Sequence, residues 1–168
     1  TADGPADDPT KVVRADTPTH RADAGMAWGT LIHGLLEHAM RHQAATRDDL
    51  RRLAMWLTVD EPQIRPSIDD AIDTVLHVAR AEFWQTAQAG EHSEETPFTV
   101  SDAARELTSG VIDLLFTSAD GWHVRDYKTD ISLDASAYER QLKTYRGALE
   151  SLQCDVVDAE LVHVRNSE

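Results

Sequence analysis

Asp113, Asp126 and Lys128 are the residues of this chain whose types and spacing could do chemistry together. Asp113 sits inside Val111-Ile112-Asp113-Leu114-Leu115-Phe116. A carboxylate in so apolar a run costs several kcal/mol unless a cation compensates it. From Trp122 to Lys128, the residues Trp122, Val124, Asp126 and Lys128 alternate with His123, Arg125 and Tyr127. As a strand, this segment sets Asp126 and Lys128 on one face, about 7 Å apart. Two converging carboxylates repel each other, which favours a hard divalent cation with oxygen ligands and bound water between them, Mg2+ or Mn2+. A lysine beside such an ion could orient or help deprotonate a water and offset the charge that develops on an attacked phosphate. Each residue also has a plainer reading, Asp113 as a backbone cap or solvent-facing acid, and Asp126 with Lys128 as a surface ion pair worth little.

The elements that must position these groups are two strands joined by a hairpin at Asp120-Gly121. A two-residue loop at Ala119-Asp120 places Asp113 opposite Asp126, and one at Asp120-Gly121 places it opposite Lys128. Either keeps all three side chains on one face, whereas a three-residue loop sends Asp113 to the other. Before the hairpin, Trp28, Leu31, Ile32, Leu35, Leu36 and Ala39 have the spacing of one buried helical face. Thr46 with Asp49 and Ser67 with Asp70 resemble capped starts of a second and a third helix, the third running through Ile68, Ile72, Val75, Leu76, Ala79 and Phe83. Pro97 to Val100 reads as a strand, Ser136 with Glu139 opens a fourth main helix through Leu152, and Ala159 to Val164 reads as a last strand.

The chain has 168 residues, enough for one domain with its own core. Residues 1–22 carry Pro5, Pro9 and Pro18 with little apolar patterning and read as a flexible linker, leaving 23–168 as the domain. The start at Thr1 suggests a processed terminus or a piece of a longer protein. A formal charge of −14 argues against a surface that attracts DNA or anionic lipid as a whole, so any polyanion must be met locally. No run is long and apolar enough for a membrane span or signal peptide, so a soluble, cytoplasmic protein without a membrane partner is expected. The single cysteine, Cys154, rules out an internal disulfide and an iron–sulfur cluster built from this chain alone. Without Gly-Lys-Ser/Thr there is no phosphate loop, and no nucleotide is expected to bind here. Gly-x-Ser-x-Gly is also absent, which removes the usual nucleophile elbow.

Five segments in order carry a resemblance to a known family. They are Gly29-Thr30-Leu31-Ile32-His33, Glu95-Thr96-Pro97-Phe98, Gly110-Val111-Ile112-Asp113, Asp126-Tyr127-Lys128-Thr129-Asp130 and Gln141-Leu142-Lys143-Thr144-Tyr145. From about Trp28 to Val164 the chain resembles the RecB/AddA-type nuclease domain of the PD-(D/E)XK, restriction-endonuclease-like superfamily. The resemblance implies an α/β fold, a small mixed sheet flanked by helices, with additional N-terminal helices. It also implies a metal held by His33, Asp113, Asp126 and the backbone carbonyl of Tyr127, with Lys128 as the catalytic lysine. Gln141 and Tyr145 match a helical motif that supports the site or contacts DNA, and Glu95 matches an acidic position that reaches the metal through water.

The implied activity is Mg2+-dependent hydrolysis of DNA phosphodiester bonds, with Mn2+ able to substitute. The resemblance is to the exonuclease at the C-terminal end of AddA-like or UvrD/Rep-like helicases in recombinational repair of double-strand breaks. There a motor in the same longer chain delivers single-stranded ends, beside an AddB-like or RecC-like subunit. Such delivery raises local substrate concentration and answers the objection from net charge. Arg125, Arg140, Lys143 and Arg146 are the cations expected nearest the site. The alternative is a module that keeps the fold and binds DNA or a partner without cleavage. Trp28, Trp56, Trp84 and Trp122 read as core or interface anchors, and His38, His42 and His77 as helical residues outside any metal spacing.

Overall fold

The structure is a computed structural model of the chain and describes residues 12–17, 25–101, 103–129 and 135–166. In chain order its elements are β1 (Val12–Thr17), α1 (Gly25–Arg41), α2 (Arg47–Leu57), α3 (Ile68–Val78), α4 (Glu82–Ala89), β2 (His92–Ser101), β3 (Leu107–Ser118), β4 (Gly121–Lys128), α5 (Ala135–Ser151) and β5 (Val156–Asn166). A 3₁₀ turn over Pro62–Ser67 leads into α3. The strands form one mixed sheet in the order β1-β5-β4-β3-β2, antiparallel across β2, β3 and β4 and parallel from β4 through β5 to β1. This is the restriction-endonuclease-like α/β architecture, with its N-terminal helices, that the sequence suggests.

Helices cover both faces of the sheet. On one, Leu31, Ile32, Leu35 and Leu36 of α1 join Ile72, Val75 and Trp84 against Leu114, Phe116, Tyr127 and Val162. On the other, Leu142, Tyr145 and Leu149 of α5 pack on Ile112, Leu115, Val124 and Leu161. The helical periodicity of α1 thus becomes a buried stripe, and the alternation of β4 divides its side chains between the two layers. Thr46 forms a reciprocal cap with Asp49 at the start of α2. Ser67 makes no side-chain cap, and α5 already includes Ser136.

Three expectations need correction. Val12–Thr17, inside the stretch read as linker, is an edge strand whose main chain pairs in parallel with Leu161 to Asn166. A strand ordered through its backbone ladder at a sheet edge leaves little trace in apolar periodicity. The single helix expected from Ile68 to Phe83 is two helices, because Ala81 is extended (φ −65°, ψ 148°) and restarts the chain as α4. Trp56 is 78% exposed and lies outside the core, which leaves it only the interface reading, since α2 turns Leu50 and Ala54 inward.

Candidate active site

The β3–β4 hairpin turns through Ala119-Asp120, with Ser118 paired to Gly121. Gly121 has φ +134°, and a Cβ there would meet the carbonyl oxygen of Asp155 at 2.8 Å, so this end of the turn requires glycine. Continued one residue beyond the Leu114–Arg125 pair, the register sets Asp113 across from Asp126, the first of the two arrangements expected. Asp113, Asp126 and Lys128 then line a single cleft of about 260 Å³ together with His33, Gln141 and Tyr145.

Each side chain is held by specific neighbours. Asp113 accepts the Tyr127 N–H through Oδ2 at 2.8 Å, and its Oδ1 lies 3.4 Å from Nδ1 of His33. Asp126 is almost fully buried, and its Oδ2 is 3.2 Å from Nζ of Lys128. Beyond this ion pair the oxygen makes no hydrogen bond of good geometry. A buried carboxylate oxygen in that condition costs free energy that a cation would recover. The Lys128 ammonium also lies 4.7 Å from the centre of the Tyr138 ring, which holds it at the cleft wall. Gln141 donates through Nε2 to the Tyr145 hydroxyl at 2.6 Å, and the Tyr145 ring meets Phe98 edge to face at 5.2 Å.

His33 enters from α1, which comes close to the end of β4 at Gly29, one turn earlier. A Cβ on Gly29 would meet Thr129 Oγ1 at 3.0 Å. His33 and Thr129 line both this cleft and a larger groove on the α1 side, of about 770 Å³, where Glu95 is found. Ligand atoms of His33, Glu95 and Asp113 all lie within 4.8 Å of one another. Glu95 therefore lies within reach of the same ion as His33 and Asp113. Its backbone has φ +50°, a conformation uncommon for a non-glycine residue. The β2–β3 ladder pairs Glu94 with Leu114 and Thr96 with Ile112, and omits Glu95 and Asp113 between them.

The electrostatics reflect crowding of acids in a dry place. Burial, the hydrogen bond with Asp113 and that residue's charge push the Asp126 carboxyl up to about 8, against the opposing pull of Lys128. Burial also works against ionisation of Asp113, but hydrogen bonds from His33, Asp126 and the Tyr127 N–H outweigh it and hold Asp113 below the usual carboxylate range. Burial lowers His33, and the Asp113 hydrogen bond with the charges of Asp113, Asp126 and Glu95 more than reverses this, so the net direction is upward. Burial and the charge of Asp113 raise Glu95. The excess of negative charge, the imidazole donor and the buried, under-bonded Asp126 carboxylate together fit a divalent cation with oxygen and nitrogen ligands.

The cations near the site are less available than expected. Arg125 points to the opposite face of the sheet, where its buried guanidinium is 2.6 Å from Asp158 and 3.5 Å from Glu160, between the rings of Phe83 and Phe116. Strand alternation separates it from Asp126, so it cannot reach a phosphate in the cleft. Arg146 is engaged with Glu150 and the carbonyl of Val156. Arg140 and Lys143 remain exposed on α5, Lys143 beside Glu139. His38 and His42 pack together near the other end of α1, with ring centres 4.3 Å apart. Sequence reasoning missed Tyr138 beneath Lys128, for which the sequence offers no signal. Gly29 and Thr129 were both visible as parts of motifs, but their meeting was not.

Comparison with known proteins bears on what this cleft is. A family model described as the PD-(D/E)XK nuclease superfamily matches residues 10–168. The chain is similar to the ATP-dependent helicase/nuclease subunit of Alkaliphilus oremlandii, 29% identical over 146 residues, and to that of Staphylococcus epidermidis, 28% identical over 153 residues. The corresponding protein of Bacillus licheniformis is 26% identical over 153 residues. Each alignment covers 74% of this chain and 12% of the relative, so the chain spans about an eighth of the length of these proteins.

Proposed function

The chain belongs to the PD-(D/E)XK nuclease superfamily, and from that premise we propose that it hydrolyses DNA phosphodiester bonds with Mg2+, Mn2+ being able to substitute. The observation that carries this reading is the convergence of Asp113, Asp126, Lys128 and His33 on one cleft, with a buried Asp126 oxygen that makes no hydrogen bond of good geometry. His33, Asp113, Asp126 and the carbonyl of Tyr127 would hold the ion, and the position of Glu95 adds it to the candidate ligands. When bound, the cation supplies positive charge to the scissile phosphate and makes a coordinated water more acidic.

The chain's own residues supply position and charge. Asp113, fixed by the Tyr127 N–H, keeps an oxygen directed toward His33, so these two donors have a set separation. Lys128, held between Asp126 and the Tyr138 ring, presents its ammonium to the attacking water and to the charge that grows on the phosphate. Gln141 and Tyr145, joined by their hydrogen bond, also line the cleft and orient the substrate strand or support the acids.

The larger setting rests on the resemblance to the RecB/AddA-type nuclease domain, and the relatives' description as helicase/nuclease subunits supports it. We infer that the domain acts within a cytoplasmic helicase–nuclease in double-strand-break processing, as an exonuclease on single-stranded ends supplied by a motor, beside an AddB-like or RecC-like subunit. Among the described residues no helix is long and apolar enough to cross a membrane.

The test is cleavage of end-labelled single-stranded DNA by the 168-residue chain in Mg2+. Degradation that stops with EDTA and with Asp126→Ala is expected, and metal-independent DNA binding without cleavage would establish the non-catalytic module instead. A companion expectation concerns the ion itself. Calorimetric titration with Mn2+ in the absence of DNA should show binding to wild type and a loss of more than about 100-fold in Asp113→Ala, beyond the roughly 10–100-fold typical of residues that only orient ligands. Equal binding by both proteins would remove Asp113 from the metal.

A further inference from the structure

The hydrogen-bond ladder fixes Asp113 relative to Asp126, but it does not fix His33 or Glu95. His33 rides on α1, and Glu95 occupies a position that the β2–β3 ladder skips. The apolar packing under α1 is strong but non-directional, so some directional contact must set the helix against β2. That contact is at Arg41, the last residue of α1. Its Nε lies 3.3 Å from Oε2 of Glu94, its Nη2 donates to the Glu94 carbonyl oxygen at 3.4 Å, and its Nη1 is 2.6 Å from Glu37. The other carboxylate oxygen of Glu94 bonds to Nδ1 of His92. The Glu94 side chain is only 7% exposed, so it is a buried acid held on both oxygens, and its chain neighbour is the positive-φ Glu95.

We propose that Arg41 and Glu94 are a positioning pair for the metal site. By gripping both the side chain and the main chain of Glu94, Arg41 locks β2 to α1 and thereby sets Glu95 and His33 at the separation a shared cation needs. Neither residue touches the reacting atoms. The inference rests on the metal-dependent reading of the cleft, and it names residues outside every motif that led to that reading.

Charge and geometry predict opposite signs for one substitution. Arg41 and Glu37 both act on Glu95 electrostatically. By charge alone, removing a guanidinium near a cation site should tighten cation binding. By positioning, Arg41→Gln should weaken it by about 10–100-fold, the usual cost of losing a group that orients a ligand. The experiment is calorimetric Mn2+ binding without DNA for the 168-residue chain, with Arg41→Gln, Glu94→Gln, the double variant, Arg41→Lys and Asp113→Ala. Weakening in both single variants is expected, with little further loss in the double, because the two act as a unit. Partial recovery is expected in Arg41→Lys, which keeps the charge but not the fork. For DNA cleavage the Arg41→Gln loss should fall on kcat at fixed Mn2+, with KM for DNA within about twofold. Circular dichroism and melting check the fold, and if Arg41→Gln is unfolded, Glu94→Gln and Arg41→Lys decide the question. Unchanged or tighter Mn2+ binding in the folded variants overturns the positioning pair and leaves the metal site intact. Undiminished binding in Asp113→Ala overturns the metal site itself, and the pair with it.

Discussion

Lys128→Ala is expected to slow DNA cleavage by about 10²–10³-fold while sparing the fold and leaving Mn2+ binding no weaker than in wild type. The ammonium sits at the cleft wall, 3.2 Å from Asp126 and over the Tyr138 ring, and shares its strand face with the acids. Its removal takes a positioned charge from the water and the phosphate but no ligand from the cation. Lys128→Arg should recover little, because a guanidinium is broader, would not sit on Tyr138 in the same way, and does not readily give up a proton. Single-turnover rates on labelled single-stranded DNA, with Asp126→Ala controlling for contaminating nuclease, measure this. A folded Lys128→Ala protein that cuts at the wild-type rate would remove the lysine from the mechanism.

Asp126→Asn should do two opposite things. It should abolish detectable cleavage and Mn2+ binding, since the amide lacks the charge that holds the cation. It should also make the metal-free protein more stable, because the native carboxyl is raised to about 8 by burial and by Asp113. A carboxyl raised in the folded state contributes stability that is present below the ordinary carboxylate range and is lost as pH climbs toward 8. The advantage of asparagine should therefore be small near the ordinary carboxylate range, grow through neutrality and level off above about 8. The gain is read as a rise in melting temperature, roughly 2–4 °C for each kcal/mol in a domain of this size. Saturating Mn2+ should stabilise wild type and leave Asp126→Asn unmoved. Melting scans across pH, with and without Mn2+, measure both effects, and a destabilised asparagine variant would contradict the crowded-acid description of the site.

How much of this was legible in the sequence depends on the kind of interaction. Asp113, Asp126 and Lys128 could be aligned because a period of two and a tight turn at Ala119-Asp120 leave few registers, and the one adopted is among those two-residue loops allow. The same alternation already separated Arg125 from Asp126, so its place on the opposite face was readable, although its partners Asp158, Phe83 and Phe116 were not. Long-range contacts were not readable. No local pattern reports that Arg41 meets Glu94, that Tyr138 lies beneath Lys128, or that Glu95 adopts φ +50° where the ladder breaks. The edge strand at Val12–Thr17 was hidden for a related reason, since its partner β5 lies at the other end of the chain and the pairing is made by backbone groups common to all residues. The break between α3 and α4 rests on one extended residue, Ala81, whose type gives no warning.

The cation is expected among Asp113, Asp126 and His33, directly beside Lys128. The most direct measurement is an anomalous difference map from crystals of the chain grown with Mn2+. The expected result is a peak bounded by the Asp113 and Asp126 carboxylates and the His33 imidazole. Ordered Mn2+ elsewhere on the molecule, with no peak in that cleft at a concentration that supports cleavage, would contradict it.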